Sequence, residues 1–376
     1  MPDIREARSL FPATSSVSYF NTAALGLASR ALSLACRRYL DEWVESGPEY
    51  VEGEAAGERA RVAAAAVMGA EPADVALIAS VSAAAGLVAA QLEPATPGQN
   101  VVIGQQEYAS NHYPWRQLAA KGYDVRQVPF RAGGLDPDDV APRVDGGTVL
   151  VAFSGVQSST GHRSDIRAIG ALARAVGAIV FVDGTQLIGA MPVADELGAI
   201  DVLATSDHKF LMNAGRGMGY CYLSRAVQQR FTPINAGWKA GRVPLDSFFG
   251  PDMDLSSTAS RFDSSISWLA AIGDDAALAP FADFGTDAIY RRNAELAGTL
   301  LDALADVGWT PIDLPAANRS TIVSVPLGDR DPARLVSELR EKRIVAAARD
   351  GNLRLSVHFY DHEDDIEQAV GALREM

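Results

Sequence analysis

The 376-residue sequence predicts an α/β fold, with a large domain on a mainly parallel sheet and a small α+β domain at its C-terminal end. Three observations point there. Short apolar runs alternate with longer amphipathic stretches along most of the chain. Polar and glycine-rich turns separate them. Beyond about residue 285 a long helical stretch gives way to closely spaced strands. Strands that alternate with helices pack as a parallel sheet covered on both faces.

In chain order, VALI (75–78), NVVIG (100–104), TVLVAFS (148–154), AIVFVDG (178–184) and DVLAT (201–205) read as strands. DIRAIGALARAVG (165–177) has apolar residues at helical spacing. Segment 235–262 is rich in Gly, Pro and Ser and reads as an irregular loop crossing a site or a subunit interface. A long helix begins near residue 285. TIVSVPL (321–327), IVAAA (344–348) and LRLSVHFY (353–360) then read as strands, with helices near 331–342 and 362–375. The predicted organisation is a segment 1–18 packing on the small domain, a large domain 19–284 and a small domain 285–376.

Composition narrows the function. Hydrophobic residues make up 48% and charged residues 21%, as in ordinary globular proteins. A net charge of −14 repels a nucleic-acid backbone and an anionic membrane alike, so neither is an expected partner. An anionic ligand must then be held by a local pocket. Two cysteines, Cys36 and Cys221, make no disulfide framework and fit a reducing cytoplasm. The charged start MPDIREARSLF lacks a signal peptide's apolar core. The uncharged run from Val75 to Leu92 is Ala-, Ser- and Gly-rich, so it reads as strand, turn and buried helix, not a membrane span.

In parallel α/β sheets, ligands bind beyond the carboxyl ends of the strands. Those ends are polar here: Ser80–Ser82, Gln105–Tyr108, Ser154–Ser158, Asp183–Gln186 and Ser206–Lys209. Asp183 closes a buried run, where a carboxylate is costly without a positive partner. Lys209 follows the next strand. Ser82 lies at a strand-to-helix turn, whose free N–H groups suit a phosphate. Singly, each has an ordinary explanation: a surface lysine, a turn-forming aspartate, an N-capping serine. Pyridoxal 5'-phosphate (PLP) uses all three together, through its aldehyde, ring nitrogen and phosphate.

The stretch FVDGTQLIG (181–189) with DVLATSDHKFLMNAGRGMG (201–219) resembles the cofactor-lysine region of class V aminotransferases. That family includes cysteine desulfurases, kynureninases, isopenicillin N epimerase-like proteins and C–S lyases. The resemblance runs through YFNTAALGL (19–27), ASVSAAAGLVA (79–89), GQQEYASNHYPW (104–115), FSGVQSSTG (153–161) and GNLRLSVHFYD (351–361). It implies the aspartate aminotransferase-like fold (fold type I), PLP as cofactor, a small amino substrate and a homodimer with active sites at the subunit interface. It further implies that Lys209 is the Schiff-base lysine and Asp183 the partner of the pyridine nitrogen. Gln186 and Ser158 fall near the ring hydroxyl, Tyr108 stacks on the ring, and Ser82, Ser206 and His208 bind the phosphate. Arg354 grips the substrate carboxylate, and Thr22 and Ala23 line the substrate pocket.

Four positions depart from the family pattern. Tyr108 stands where the family has its ring-stacking histidine. Ser158 replaces an Asn. Asp207 replaces a small residue and is either a substrate-specific group or solvent-facing. RFDSSISW (261–268) lacks the usual Gly-Thr, leaving Ser265 as the candidate to reach a partner subunit's phosphate. VAAARDGNLRLS is short where desulfurases carry a persulfide cysteine, so persulfide formation is not expected. The resemblance implies chemistry through an external aldimine and a Cα carbanion. An aminotransferase or a β-eliminating C–S lyase is the first reading and an epimerase the second. A nucleotide-binding Rossmann-type protein is the alternative from another class, but no G-x-G-x-x-G follows an early strand and no P-loop occurs.

Overall fold

The computed structural model describes residues 3–47, 50–213, 215–250 and 252–376. Its strands are β1 (Ser18–Tyr19), β2 (Val75–Ile78), β3 (Asn100–Gly104), β4 (Asp124–Val128), β5 (Thr148–Ser154), β6 (Ile179–Asp183), β7 (Val202–Ser206), β8 (Gly219–Leu223), β9 (Ile322–Pro326), β10 (Ile344–Val345), β11 (Ala347–Arg349) and β12 (Asn352–Ser356). The helices of ten residues or more are α1 (Arg30–Ser46), α2 (Tyr50–Met68), α3 (Val81–Ala90), α4 (Ile166–Ala175), α5 (Trp268–Ala277), α6 (Thr286–Asp306), α7 (Pro332–Glu341) and α8 (Glu363–Arg374).

Seven strands form the main sheet in the order β2-β8-β7-β6-β5-β3-β4. Only β8 runs against its neighbours. The apolar runs are continuous because both faces are covered. Successive side chains alternate between two cores: Val101, Ile103, Leu150, Ala152, Ile179 and Phe181 join one, Val102, Val151, Phe153, Val180 and Val182 the other. Two members went unread in the sequence. Edge strand β4 reads DVRQV and is mostly half-buried, so it has no apolar run. β8 follows the glycine-rich stretch that hides its start.

The small domain pairs β11, β12 and β9 antiparallel over a core that includes Leu296, Leu300, Leu353 and Leu355. IVAAA splits into two strands with different partners, because β10 pairs with β1 while β11 pairs with β12. The strand expected to reach residue 360 ends at Ser356. His358 beyond it is buried, with Nε2 3.1 Å from the Phe210 carbonyl oxygen. Burial holds this imidazole neutral, near a pKa of about 3, and fixes the segment just after Lys209. The N-terminal segment lies on the small domain through the β1–β10 pair and an ion pair between Arg8 and Asp365.

Segment 235–262 is a run of turns and short 3₁₀ helices. After it, Asp263 is buried. It accepts from Arg61 Nη2 at 2.6 Å and from the Leu77 N–H at 2.8 Å, tying this segment to α2 and β2. The aspartate of RFDSSISW is therefore a structural tie at the end of β2.

Candidate active site

The main sheet brings the chemistry together by register. Ser154 pairs with Asp183, and Asp183 with Ala204, so β5, β6 and β7 end at one edge. Lys209 follows three residues after β7. A cavity opens at that edge, and its walls include Asp183, Lys209, Tyr108, Ser158, Gln186, Ser80, Ser206, His208 and Arg216.

Asp183 is buried and accepts the Thr185 N–H at 2.9 Å. Burial raises its pKa; the Thr185 hydrogen bonds and the charge of Lys209 oppose the rise. Lys209 is shifted the other way, to a pKa of about 8. Burial is the largest cause, and the positive charges of Arg354, Arg216 and Arg349 add to it while Asp183 opposes. About a tenth of such amines are neutral and nucleophilic at pH 7. The Lys209 ammonium lies 5.4 Å from the ring centroid of Tyr108, which stays 54% exposed and so keeps a face open to the cavity.

Arg354 is 1% exposed. Its Nη1 donates to the Ser158 carbonyl and to Ser158 Oγ, each at 2.9 Å. Its Nε and Nη2 have no acceptor among the described residues. Burial, and next the charge of Arg349, bring its pKa down to about 10. Two orphaned donors on one edge of a planar fork match a carboxylate bidentately. Ser158, in the place of the expected Asn, links this arginine to Gln186, whose Nε2 donates to Ser158 Oγ and to the Ala23 carbonyl at 3.0 Å each. The NH₂ of Gln186 is thus already committed, and its Oε1 is the unpartnered atom.

Several expectations need correction. Ser80, not Ser82, caps α3, accepting from Ala83 N–H at 3.2 Å; Ser82 is exposed and off the cavity wall, because the turn after β2 closes two residues earlier. Thr22 faces Tyr360, and the Ala23 N–H donates to Ser356 Oγ at 2.9 Å; both brace the small domain instead of lining the cavity. Asp207 does not face solvent: it is fully buried and off the cavity wall. Ser265 is exposed and outside its own chain's cavity.

Glu107 was missed. It is buried beside the cavity and accepts from the Ser154 N–H and Gln157 Nε2, each at 2.9 Å, and from Ser154 Oγ. Burial pushes its pKa up to about 7 against those hydrogen bonds, with Asp183 adding to the rise. A carboxylate directly before Tyr108 at a strand end was the available signal. Arg216, on the wall, was passed over within GRGMG.

A buried amine, a buried carboxylate across a cavity and a helix N-terminus capped at its rim fit the three ends of PLP. The orphaned edge of Arg354 fits a substrate carboxylate. Fold and site define a PLP-dependent enzyme of fold type I. The class V aminotransferase family model matches residues 48–368, and the chain belongs to that family, whose cofactor is PLP. An uncharacterized aminotransferase of Bacillus subtilis is 24% identical over 365 residues, 96% of this chain and 95% of the relative. Isopenicillin N epimerase of Amycolatopsis lactamdurans is 30% identical, with 84% of each chain covered. Others among the relatives are named probable cysteine desulfurases. A lysine mutant of the lyase C-DES, solved with glycine covalently linked to its PLP, superposes over the whole of both chains with a TM-score of 0.88 at 20% identity. Among the described residues no helix is long and apolar enough to cross a membrane, and no cluster could hold a metal ion.

Proposed function

We propose that the protein is an aminotransferase or a β-eliminating C–S lyase acting on an α-amino acid, and not a persulfide-forming desulfurase. The orphaned Nε and Nη2 of Arg354, whose charge helps depress the Lys209 pKa although the side chain is not on the cavity wall, carry this reading. Buried donors without acceptors cost about 1–3 kcal/mol each, which an α-carboxylate offsets on binding.

Bound PLP supplies an electron sink for the negative charge left at the substrate Cα. The chain's own residues do the rest. Lys209 forms the covalent link and, once displaced by the substrate amine, moves the Cα proton; its pKa of about 8 suits that work near neutral pH. Asp183 would hold a proton at the ring nitrogen. Ser206, His208 and the α3 N-terminus would hold the phosphate. Arg354 fixes the carboxylate, so one Cα bond is set for cleavage. Tyr108 covers the ring and limits water.

The placement of the thiols supports the exclusion of persulfide chemistry. Cys221 is buried in β8, and Cys36 lies on α1 against the Leu269 carbonyl. β11 and β12 are joined by Asp350-Gly351 with φ of 49° and 74°, a tight two-residue hairpin with no loop to carry a cysteine. Both free thiols also support a reducing cytoplasm. Exposed Leu34, Trp43 and Val44 on α1, with Phe249 and Met253, support a homodimer in which Ser265 reaches the partner's site.

The test is an amino-acid panel on PLP-loaded protein, reading keto acid, ammonia, sulfide and protein persulfide. Keto acid with amino-group transfer, or sulfide with ammonia, is the expected result. Persulfide on Cys36 or Cys221 overturns it, and racemised substrate without other product moves the reading to an epimerase.

A further inference from the structure

Behind the turn that carries Lys209 lies a polar cluster which the reading above does not use. Asp207, from the turn, and Asp274, from α5, are both fully buried. Asn213 Nδ2 donates to Asp207 Oδ2 at 2.8 Å and to the Ala270 carbonyl at 3.0 Å. The Tyr220 hydroxyl donates to Asp274 Oδ2 at 2.7 Å. The remaining oxygen of each carboxyl, Oδ1, lacks a partner at hydrogen-bond distance among the described residues, as does His208 Nδ1, and the charge of Asp207 acts on Asp274.

Two facing buried carboxylates do not both ionise. Burial first, and then the neighbouring Asp207, push Asp274 well above the carboxylate range. At Asp207 burial also raises the pKa, but hydrogen bonds from His208 and Asn213 pull it back. The contacts from His208 and Asn213 favour the charged form of Asp207 against its burial. Among the described ion pairs His208 is its basic neighbour, with Nδ1 3.4 Å from Asp207 Oδ1. His208 lines the cavity next to Ser206, and its Nε2 has no protein acceptor among the described residues.

We propose that Asp207 is a positioning residue for the phosphate end of the cavity: held by Asn213 and Asp274, its carboxylate anchors His208 through Nδ1 and so aims Nε2–H at the cofactor phosphate. The inference rests on the reading that this cavity holds PLP. A small residue at 207 leaves the imidazole free to turn; the aspartate trades that freedom for a charge-assisted donor in a fixed direction.

Full-length apoprotein is titrated separately with pyridoxal 5'-phosphate and with pyridoxal, reading the absorbance of the lysine-linked aldehyde. Asp207→Ala is expected to weaken pyridoxal 5'-phosphate about tenfold, the worth of one charge-assisted hydrogen bond. Pyridoxal, which lacks the phosphate, is expected to stay within about twofold. His208→Ala is expected to show the same selectivity, and the double variant no further loss, because both changes remove one contact. Equal weakening of both aldehydes marks a merely structural role and overturns the proposal. So does a further tenfold loss on adding Asp207→Ala to His208→Ala. If Asp207→Ala does not fold, the isosteric Asp207→Asn replaces it, with selective weakening of the phosphorylated aldehyde expected and unselective or absent weakening overturning the claim. A wild type without a Lys209-dependent band refutes the cavity reading itself; a wild-type band with unchanged affinities in Asp207→Ala refutes only the role of Asp207.

Discussion

Replacing Arg354 by methionine separates binding from stability at one residue. In the substrate-free protein the guanidinium is buried, spends Nη1 on Ser158 and leaves Nε and Nη2 without acceptors. The orphaned pair costs about 2–6 kcal/mol in the folded state, and the two Ser158 bonds return about 3–6 kcal/mol, so the terms nearly cancel. Arg354→Met is therefore expected to change thermal stability little, despite removing a buried charge. Substrate binding is different. Two charge-assisted hydrogen bonds to a carboxylate are worth about 1.5–3 kcal/mol each, so kcat/KM is expected to fall by about 10²–10⁴. The assay pairs a thermal melt with an absorbance titration of the PLP-loaded protein by amino acids. The band of the bound cofactor should persist unchanged while the amino-acid-induced shift needs far higher concentrations. Loss of the cofactor band, or an unchanged response to amino acids, refutes the assignment of Arg354 to the substrate carboxylate.

Three further outcomes are expected. Lys209 is depressed from 10.5 to about 8, so its charged form destabilises the cofactor-free fold by about 3 kcal/mol below pH 8, a penalty that fades as pH rises toward 10.5; Lys209→Met should stabilise the apoprotein at pH 7 and not at pH 11 in denaturant titrations. Glu107 is raised to about 7, so the fold retains a proton that the unfolded chain has released; the resulting penalty of about 3 kcal/mol grows between pH 4.5 and 7, and Glu107→Gln should match wild type below pH 4.5 and exceed it above pH 7. Asp263→Asn leaves buried Arg61 with only the exposed Glu58 as counter-ion and should destabilise by about 3–5 kcal/mol in denaturant unfolding, while the cofactor affinity of protein that remains folded is kept.

The alternation of apolar runs was enough to read the sheet core, because strands buried on both faces announce themselves within five residues. β4 and β8 escaped for opposite reasons: one is an edge strand with polar positions, the other a reversed strand behind a glycine-rich stretch of sequence. In the site, Asp183 and Lys209 were legible as the polar ends of successive runs, since parallel register carries adjacent strand ends to one edge. Ser82 and Asp207 were misplaced because a side chain's direction at a turn depends on what packs against it. For Asp207 that partner is Asp274 on α5, far along the chain.

By itself, then, the sequence determined the buried core strands of the sheet, the edge at which the chemistry gathers, and the amine and carboxylate at successive strand ends there; each follows from local periodicity and strand order. Only the tertiary structure decided that Arg354 keeps an unsatisfied edge, that Glu107 lies buried beside Asp183, and that Asp207 turns inward toward His208 and Asp274. Those outcomes come from desolvation and from contacts between segments distant in sequence, quantities that no window of neighbouring residues contains.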